Sequence, residues 1–138
     1  MSDFAQLELA LDQPLASDSP IEAAVFLLQA GEQALENWLL AKDRQPTGEL
    51  SEGFRILALH RQGAKGDPSF NACRETAREL VYHYNLVRLD PEHAKTGHRL
   101  QMMQLLARHL VFFIGGKLQE AELGEFCCAA KPVRLNST

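Results

Sequence analysis

The sequence predicts an all-α protein: a four-helix bundle-like domain with short capped loops, expected to pair as a homodimer. Three observations predict it. Helix-opening signals recur at Ser19-Pro20-Ile21-Glu22, Asp67-Pro68 and Asp90-Pro91-Glu92, each a capping residue followed by a first-turn proline. Apolar residues after each signal repeat at helical spacing. The last segment, residues 100–118 (LQMMQLLARHLVFFIGGKL), is apolar around most of its circumference: Gln101, Gln104 and Arg108 share one wedge, and His109 and Lys117 are its other polar residues. A surface helix buries one stripe and wets the opposite face, so this helix needs cover on more than one side.

Residues 1–19 read as an N-terminal arm. Leu7, Leu9 and Leu11 alternate with Glu8 and Ala10 in a weak strand-like period, a short helix being the competing reading, and both stop at Pro14. Residues 20–126 form a single helical domain. Its first helix places Ile21, Ala24, Leu28, Leu35, Trp38 and Leu39 on one face and Glu22, Gln29, Glu32, Gln33 and Glu36 on the wet side. Ala23, Ala30, Ala34 and Ala41 add a seam of small residues that lets a neighbouring helix approach closely. Asp43 ends this helix, before Gln45-Pro46-Thr47-Gly48.

A shorter helix is expected over 50–62 with Leu50, Phe54, Leu57 and Ala58 inward, ending at Gly63-Ala64-Lys65-Gly66. The third, over 68–88, has a clear stripe of Phe70, Cys73, Ala77, Leu80, Val81, Tyr84 and Val87. The fourth opens at Asp90-Pro91-Glu92, and Gly115-Gly116 is expected to end or break it, because glycine tolerates a left-handed C-cap. Residues 110–114 are β-prone, yet the helical period runs through them without a turn signal. A further short helix over 117–126 and a flexible C-terminal tail over 127–138 complete the chain.

The chain of 138 residues is long enough to bury a core without metal or disulfide. Its net charge of −4 argues against a phosphate backbone as the main partner. Cys73, Cys127 and Cys128 fit no zinc pattern and read as reduced thiols. The opening residues lack a signal peptide's positive and apolar regions, and no run is long enough to span a bilayer, so the reading is cytoplasmic.

No motif specifies catalysis, a metal or a cofactor. His93 and His98 are five residues apart, and Glu79 precedes His83 by four, so neither the i,i+4 histidine pair nor the Glu-x-x-His of di-iron bundles is present. Gly115-Gly116-Lys117 lacks the first glycine and the hydroxyl residue of a P-loop. The four residues 63–66 resemble the phosphate-clamping loop of KH domains, but that fold's strands are missing, and a C-cap with a turn accounts for the glycines.

The positive signal is apolar surface beyond one core. Leu105 and Phe112 lie on the flank of the fourth helix facing away from Leu100, Met103, Leu110 and Ile114, with Met102, Leu106 and Phe113 between. His109 joins the same helix, and Tyr82 and Leu86 sit among charges on the third. Patches rich in Met and aromatics mark protein contacts. The expectation is therefore a small acidic regulatory or adaptor protein, for example an anti-activator that sequesters a transcription factor. Its partner- or dimer-binding residues are Met102, Leu105, Leu106, His109, Phe112, Phe113, Tyr82 and Leu86. Two rival readings remain: a ligand pocket of Phe112, Phe113, Met102 and Met103 anchored by His109, and a DNA-binding helix-turn-helix using Arg74 and Arg78 beside the repelling Glu75 and Glu79.

Overall fold

Ser19 caps the first long helix as its chemistry requires: its Oγ accepts a hydrogen bond from the Glu22 amide at 3.3 Å, and Pro20 occupies the first turn. The computed structural model describes residues 4–15 and 18–121, which are all-α with no strand. Five α-helices follow in order: α1 Phe4–Asp12, α2 Pro20–Ala41, α3 Arg55–Ala64, α4 Arg74–Leu89 and α5 Thr96–Glu120. A 3-10 segment, Pro68–Cys73, leads into α4.

Several expectations shift. The arm contains a helix, not a strand: Phe4, Leu7 and Leu11 recur at i, i+3 and i+7 and are buried, while Leu9 is exposed. α3 starts at Arg55, because residues 51–54 close a tight turn instead. Ser51 and Phe54 exchange backbone hydrogen bonds of 3.0 and 2.9 Å, and Glu52 and Gly53 both have positive φ (54° and 86°), as a type I′ turn demands. Leu50 is consequently exposed, and α3 buries Ile56, Leu59, His60 and Gly63. Ile21 is also exposed, at the edge of an α2 face otherwise buried as expected.

Asp67 caps the 3-10 segment, not an α-helix, with Oδ1 accepting from the Ser69 amide. Turns occupy residues 90–95, so α5 starts at Thr96, whose hydroxyl donates to the Asp90 carbonyl at 3.3 Å. α5 does not end at Gly115-Gly116. It runs on to Glu120, because Gly115 is buried against the core and neither glycine leaves helical φ. Residues 122–138, with the end of the expected 117–126 helix, Cys127, Cys128 and the tail, lie outside the described residues.

α5 packs against α2, α4 and α1, the multiple cover its composition demands. α2 meets it through small residues: Ala24, Ala30 and Ala34 are buried, and a Cβ built on Gly31 would lie 2.8 Å from Ile56 Cδ1, 3.0 Å from Leu80 Cδ2 and 3.4 Å from Leu110 Cδ2. Phe70 anchors the 3-10 segment. Its ring packs at 5.8 Å from Trp38 and edge-on at 5.7 Å from Phe113, and a Cβ on Gly63 would come within 2.7 Å of it. Lys117, on α5, lays its ammonium over Trp38, Phe70 and Phe113 at 5.2–5.9 Å and pairs with Asp67 at 3.1 Å. The 3-10 segment is thereby fastened to α5.

His60 is buried, and its Nε2–H donates to the Phe70 carbonyl at 2.8 Å. Burial pushes its pKa below the usual imidazole range, outweighing the Phe70 bond, and Arg74 pushes it the same way.

Gly31→Val is expected to destabilise the fold by about 1–3 kcal/mol, because its neighbours must shift to admit the added atoms. Gly116→Ala, with nothing within 4 Å of its added Cβ, should stabilise by about 0.5–1 kcal/mol. Urea midpoints decide both. For His60 the unfolded chain takes up a proton at a higher pH than the folded one. Stability is therefore expected to fall as pH drops below about 6.5, until the folded-state pKa is passed. Melting curves at pH 7.5 and 5.5 should show a smaller loss in His60→Gln than in the parent.

Candidate protein-binding surface

With three helices around it, α5 keeps one strip free. Met103, Leu110 and Ile114 are fully buried, and Leu100 is half-buried beside them. On the far side Leu105 is 57% exposed and Phe112 is 76% exposed. They stand seven residues apart, two turns of helix, so both project from one face. His109 is exposed between them. Leu106 is buried and Phe113 is half-buried against Phe70, so both belong to the core and line only the edge of the strip. Met102 is half-buried.

Tyr82 and Leu86 stand apart from this strip, on α4. Tyr82 is exposed, with its ring edge-on to His83 at 5.3 Å, and Leu86 is half-buried. The structure brings together Leu105, His109 and Phe112 from the eight expected contact residues. It places the others at the border, in the core or on another helix.

Sequence reasoning missed the second wall. α1 lies along α5, and a cleft of about 490 Å³ runs between them, lined by Glu8, Leu11, Asp12, Leu105, Arg108 and Phe112 among others. The wedge of polar residues on α5 explains the attachment. Gln104 Nε2 donates to the carbonyls of Leu11 and Gln13 at 3.0 and 2.9 Å, satisfying acceptors that a helix C-terminus leaves open. Arg108 reaches Asp12 at 3.2 Å. The signal that would have found this wall is the Phe4, Leu7, Leu11 spacing, matched to two glutamines and an arginine on one side of an otherwise apolar helix.

Along α5 the cleft mixes the apolar Leu105, Val111 and Phe112 with Arg108 and His109, and along α1 it carries Glu8 and the Asp12 that Arg108 pairs with. Burial raises the Glu8 pKa, and Asp12 one turn away raises it further.

Groups with catalytic potential lie elsewhere. Burial pushes the Cys73 thiol up to about 11, far from a nucleophile's range. Among the described residues no three of His, Cys, Asp and Glu gather where they would hold a metal ion, and no helix is long and apolar enough to cross a membrane. Phe112, Phe113, Met102 and Met103 do not line one cavity, since Met103 is fully buried in the core while Phe112 projects outward. The chain matches no protein-family model, no curated protein and no solved structure.

Gln104→Leu is expected to uncap α1, costing about 1–2 kcal/mol for the two lost bonds. Amide exchange should quicken in α1 well before it does in α2, which hydrogen–deuterium exchange with peptide resolution measures.

Proposed function

We propose that this chain is a small acidic regulatory or adaptor protein, without catalytic activity of its own, that acts in the cytoplasm by binding protein through the α1–α5 face. The observation supporting this reading is the pair Leu105 and Phe112: two large apolar side chains, 57% and 76% exposed on one helix face beside an open cleft. Burying such side chains yields about 1.5–3 kcal/mol each. Scattered exposed leucines need no explanation, but two that border a groove form a patch.

The first occupant is a second copy of the chain. A two-fold axis near Arg108 and His109 sets Phe112 of one copy against Leu105 of the other, a self-complementary arrangement. In that homodimer α1 and α5 of each copy would make a four-helix layer across the axis, distinct from the bundle of the chain's own helices expected from sequence. Association costs about 4–15 kcal/mol in lost freedom, so the pair alone is insufficient and the flanking parts of α1 and α5 must be buried too. About 800 Å² from each copy is the usual requirement. An anti-activator fits this chemistry: a protein with an apolar dimerisation helix could exchange for the second copy and be sequestered there.

Sedimentation velocity over about 1–100 μM, a range spanning ordinary dimer affinities, tests the reading. The parent should sediment as a dimer. Leu105→Glu with Phe112→Glu should sediment as a monomer, with unchanged helical circular dichroism and a melting temperature that no longer rises with protein concentration as the parent's does. A monomeric parent throughout the range counts against the homodimer, and a double variant that unfolds shows that the two residues serve the fold.

A further inference from the structure

Away from α5, a cleft of about 210 Å³ lies between α3 and the start of α4. Arg61 reaches it from α3, Arg74 and Arg78 from successive turns of α4, and Ser51 and Asn71 add polar side chains. A chain with a net charge of −4 has thus gathered three guanidinium groups around one small space. Like charges brought together in this way repel, and the fold alone gives no reason to collect them.

Only one of the three is neutralised by the chain itself. The Glu52 carboxylate accepts from Arg78 Nη1 and Nη2 at 3.0 and 3.3 Å, the forked geometry by which arginine recognises oxyanions. Arg61 and Arg74 also act on Glu52: all three arginines, Arg78 foremost, hold its carboxyl below the usual carboxylate range. Among the described residues neither Arg61 nor Arg74 makes a side-chain hydrogen bond or an ion pair. The carboxylate arrives on a strained support. Glu52 has φ +54°, a conformation uncommon for a residue with a Cβ, within the tight turn that Gly53 completes.

We propose that this cleft binds a phosphate monoester through Arg61, Arg74 and Arg78, and that Glu52 occupies the site as an internal stand-in until the ligand arrives. Arg61 and Arg74 have no bonded carboxylate among the described residues, and even with Glu75 acting on Arg78 beside Glu52 the cleft stays cationic toward the −1.5 to −2 of a phosphate monoester near neutral pH. The space of about 210 Å³ is enough for a phosphate group. Glu75 and Glu79 are exposed on α4 in the turns that carry Arg74 and Arg78, two carboxylates that the many phosphates of a duplex would have to approach. The proposal is independent of the α1–α5 reading, since none of its residues lies on those helices.

Titration calorimetry at low salt with phenyl phosphate tests the site, and an acetylated phosphoserine amide is the second ligand. Tighter binding of phenyl phosphate identifies a small phosphorylated molecule as the source, and tighter binding of the phosphoserine amide identifies a modified protein side chain. Binding should saturate with one site per chain. Glu52→Gln should tighten it about three- to tenfold by removing the competing carboxylate, and Arg74→Gln with Arg78→Gln should weaken it at least about tenfold. Arg61→Gln, which breaks no bond within the fold, should weaken it too and guards against a double variant that fails to fold. No saturation by about 10 mM in either the parent or Glu52→Gln overturns the proposal, as does binding that the arginine substitutions leave unchanged. Duplex DNA binding that phenyl phosphate does not displace overturns it equally.

Discussion

The close crossing at Gly31 is the constraint from which the rest of the arrangement follows. Ile56 of α3, Leu80 of α4 and Leu110 of α5 all press on the point where any other residue would place its Cβ. Such contact is available only because α2 presents glycine and alanine there: Ala24, Ala30 and Ala34 leave no side chain long enough to hold a neighbour away. Drawn this close, α2 takes one side of α5 and α4 takes the next. α1 is held on a third by Gln104 and Arg108. The strip of Leu105, His109 and Phe112 is what remains of α5 once those sides are covered. Its exposure is a consequence of the crossing, not a local accident of the surface.

The aromatic cluster beside that crossing solves a different problem. The six residues of the 3-10 segment offer little hydrogen bonding of their own, and 3-10 geometry is weaker than α-helical geometry. Phe70 compensates by burial among Trp38, Phe113 and the glycine at position 63. Lys117 then closes the top, its ammonium facing three rings and its hydrogen bonds running to Ser69 and Asp67. A cation among rings is desolvated less expensively than one among alkyl groups, which is why a lysine is tolerated on this side of a largely apolar helix.

Where periodicity was strong, the sequence was a reliable guide. The stripe from Phe70 to Val87 is buried nearly throughout, and the apolar excess of α5 did demand several neighbours. Local chemistry was less legible where two signals competed. Alternating leucines disguised α1, whose helical set of Phe4, Leu7 and Leu11 shares residues with the strand-like set. Glycines at 115 and 116 looked like a terminus, but glycine permits a left-handed stop without imposing one, and here Gly115 is buried within a helix that runs on to Glu120. The inward placing of Leu50 failed because the turn at Glu52-Gly53 delays α3 by five residues, shifting its buried face to Ile56 and Leu59. Of the arginine cleft the sequence offered only Arg74 and Arg78, as a candidate DNA contact, and not the enclosure with Arg61. Arg61 is remote in sequence from Arg74 and Arg78, and only the packing of α3 on α4 makes them neighbours.

The 3-10 segment lies between the two surfaces and touches both. Its Phe70 carbonyl accepts from His60 on the wall of the arginine cleft, and Asn71 lines that cleft directly. Its Phe70 ring meets Phe113, and Ser69 shares a shallow hollow with His109, Phe112 and Phe113 at the edge of the α5 strip. A substitution in this segment therefore disturbs the two surfaces together, through packing, whatever either of them binds. Leu105 and Phe112 on one side, and Arg61 and Arg78 on the other, lack that shared dependence. All four are exposed, and none of them packs its side chain on the Phe70 ring, although Phe112 borders the hollow that holds Phe113 and Ser69. Effects arising at Leu105 or at Arg61 are therefore expected at one surface at a time, although α4 and α5 also pack directly on each other and offer a second route between the two.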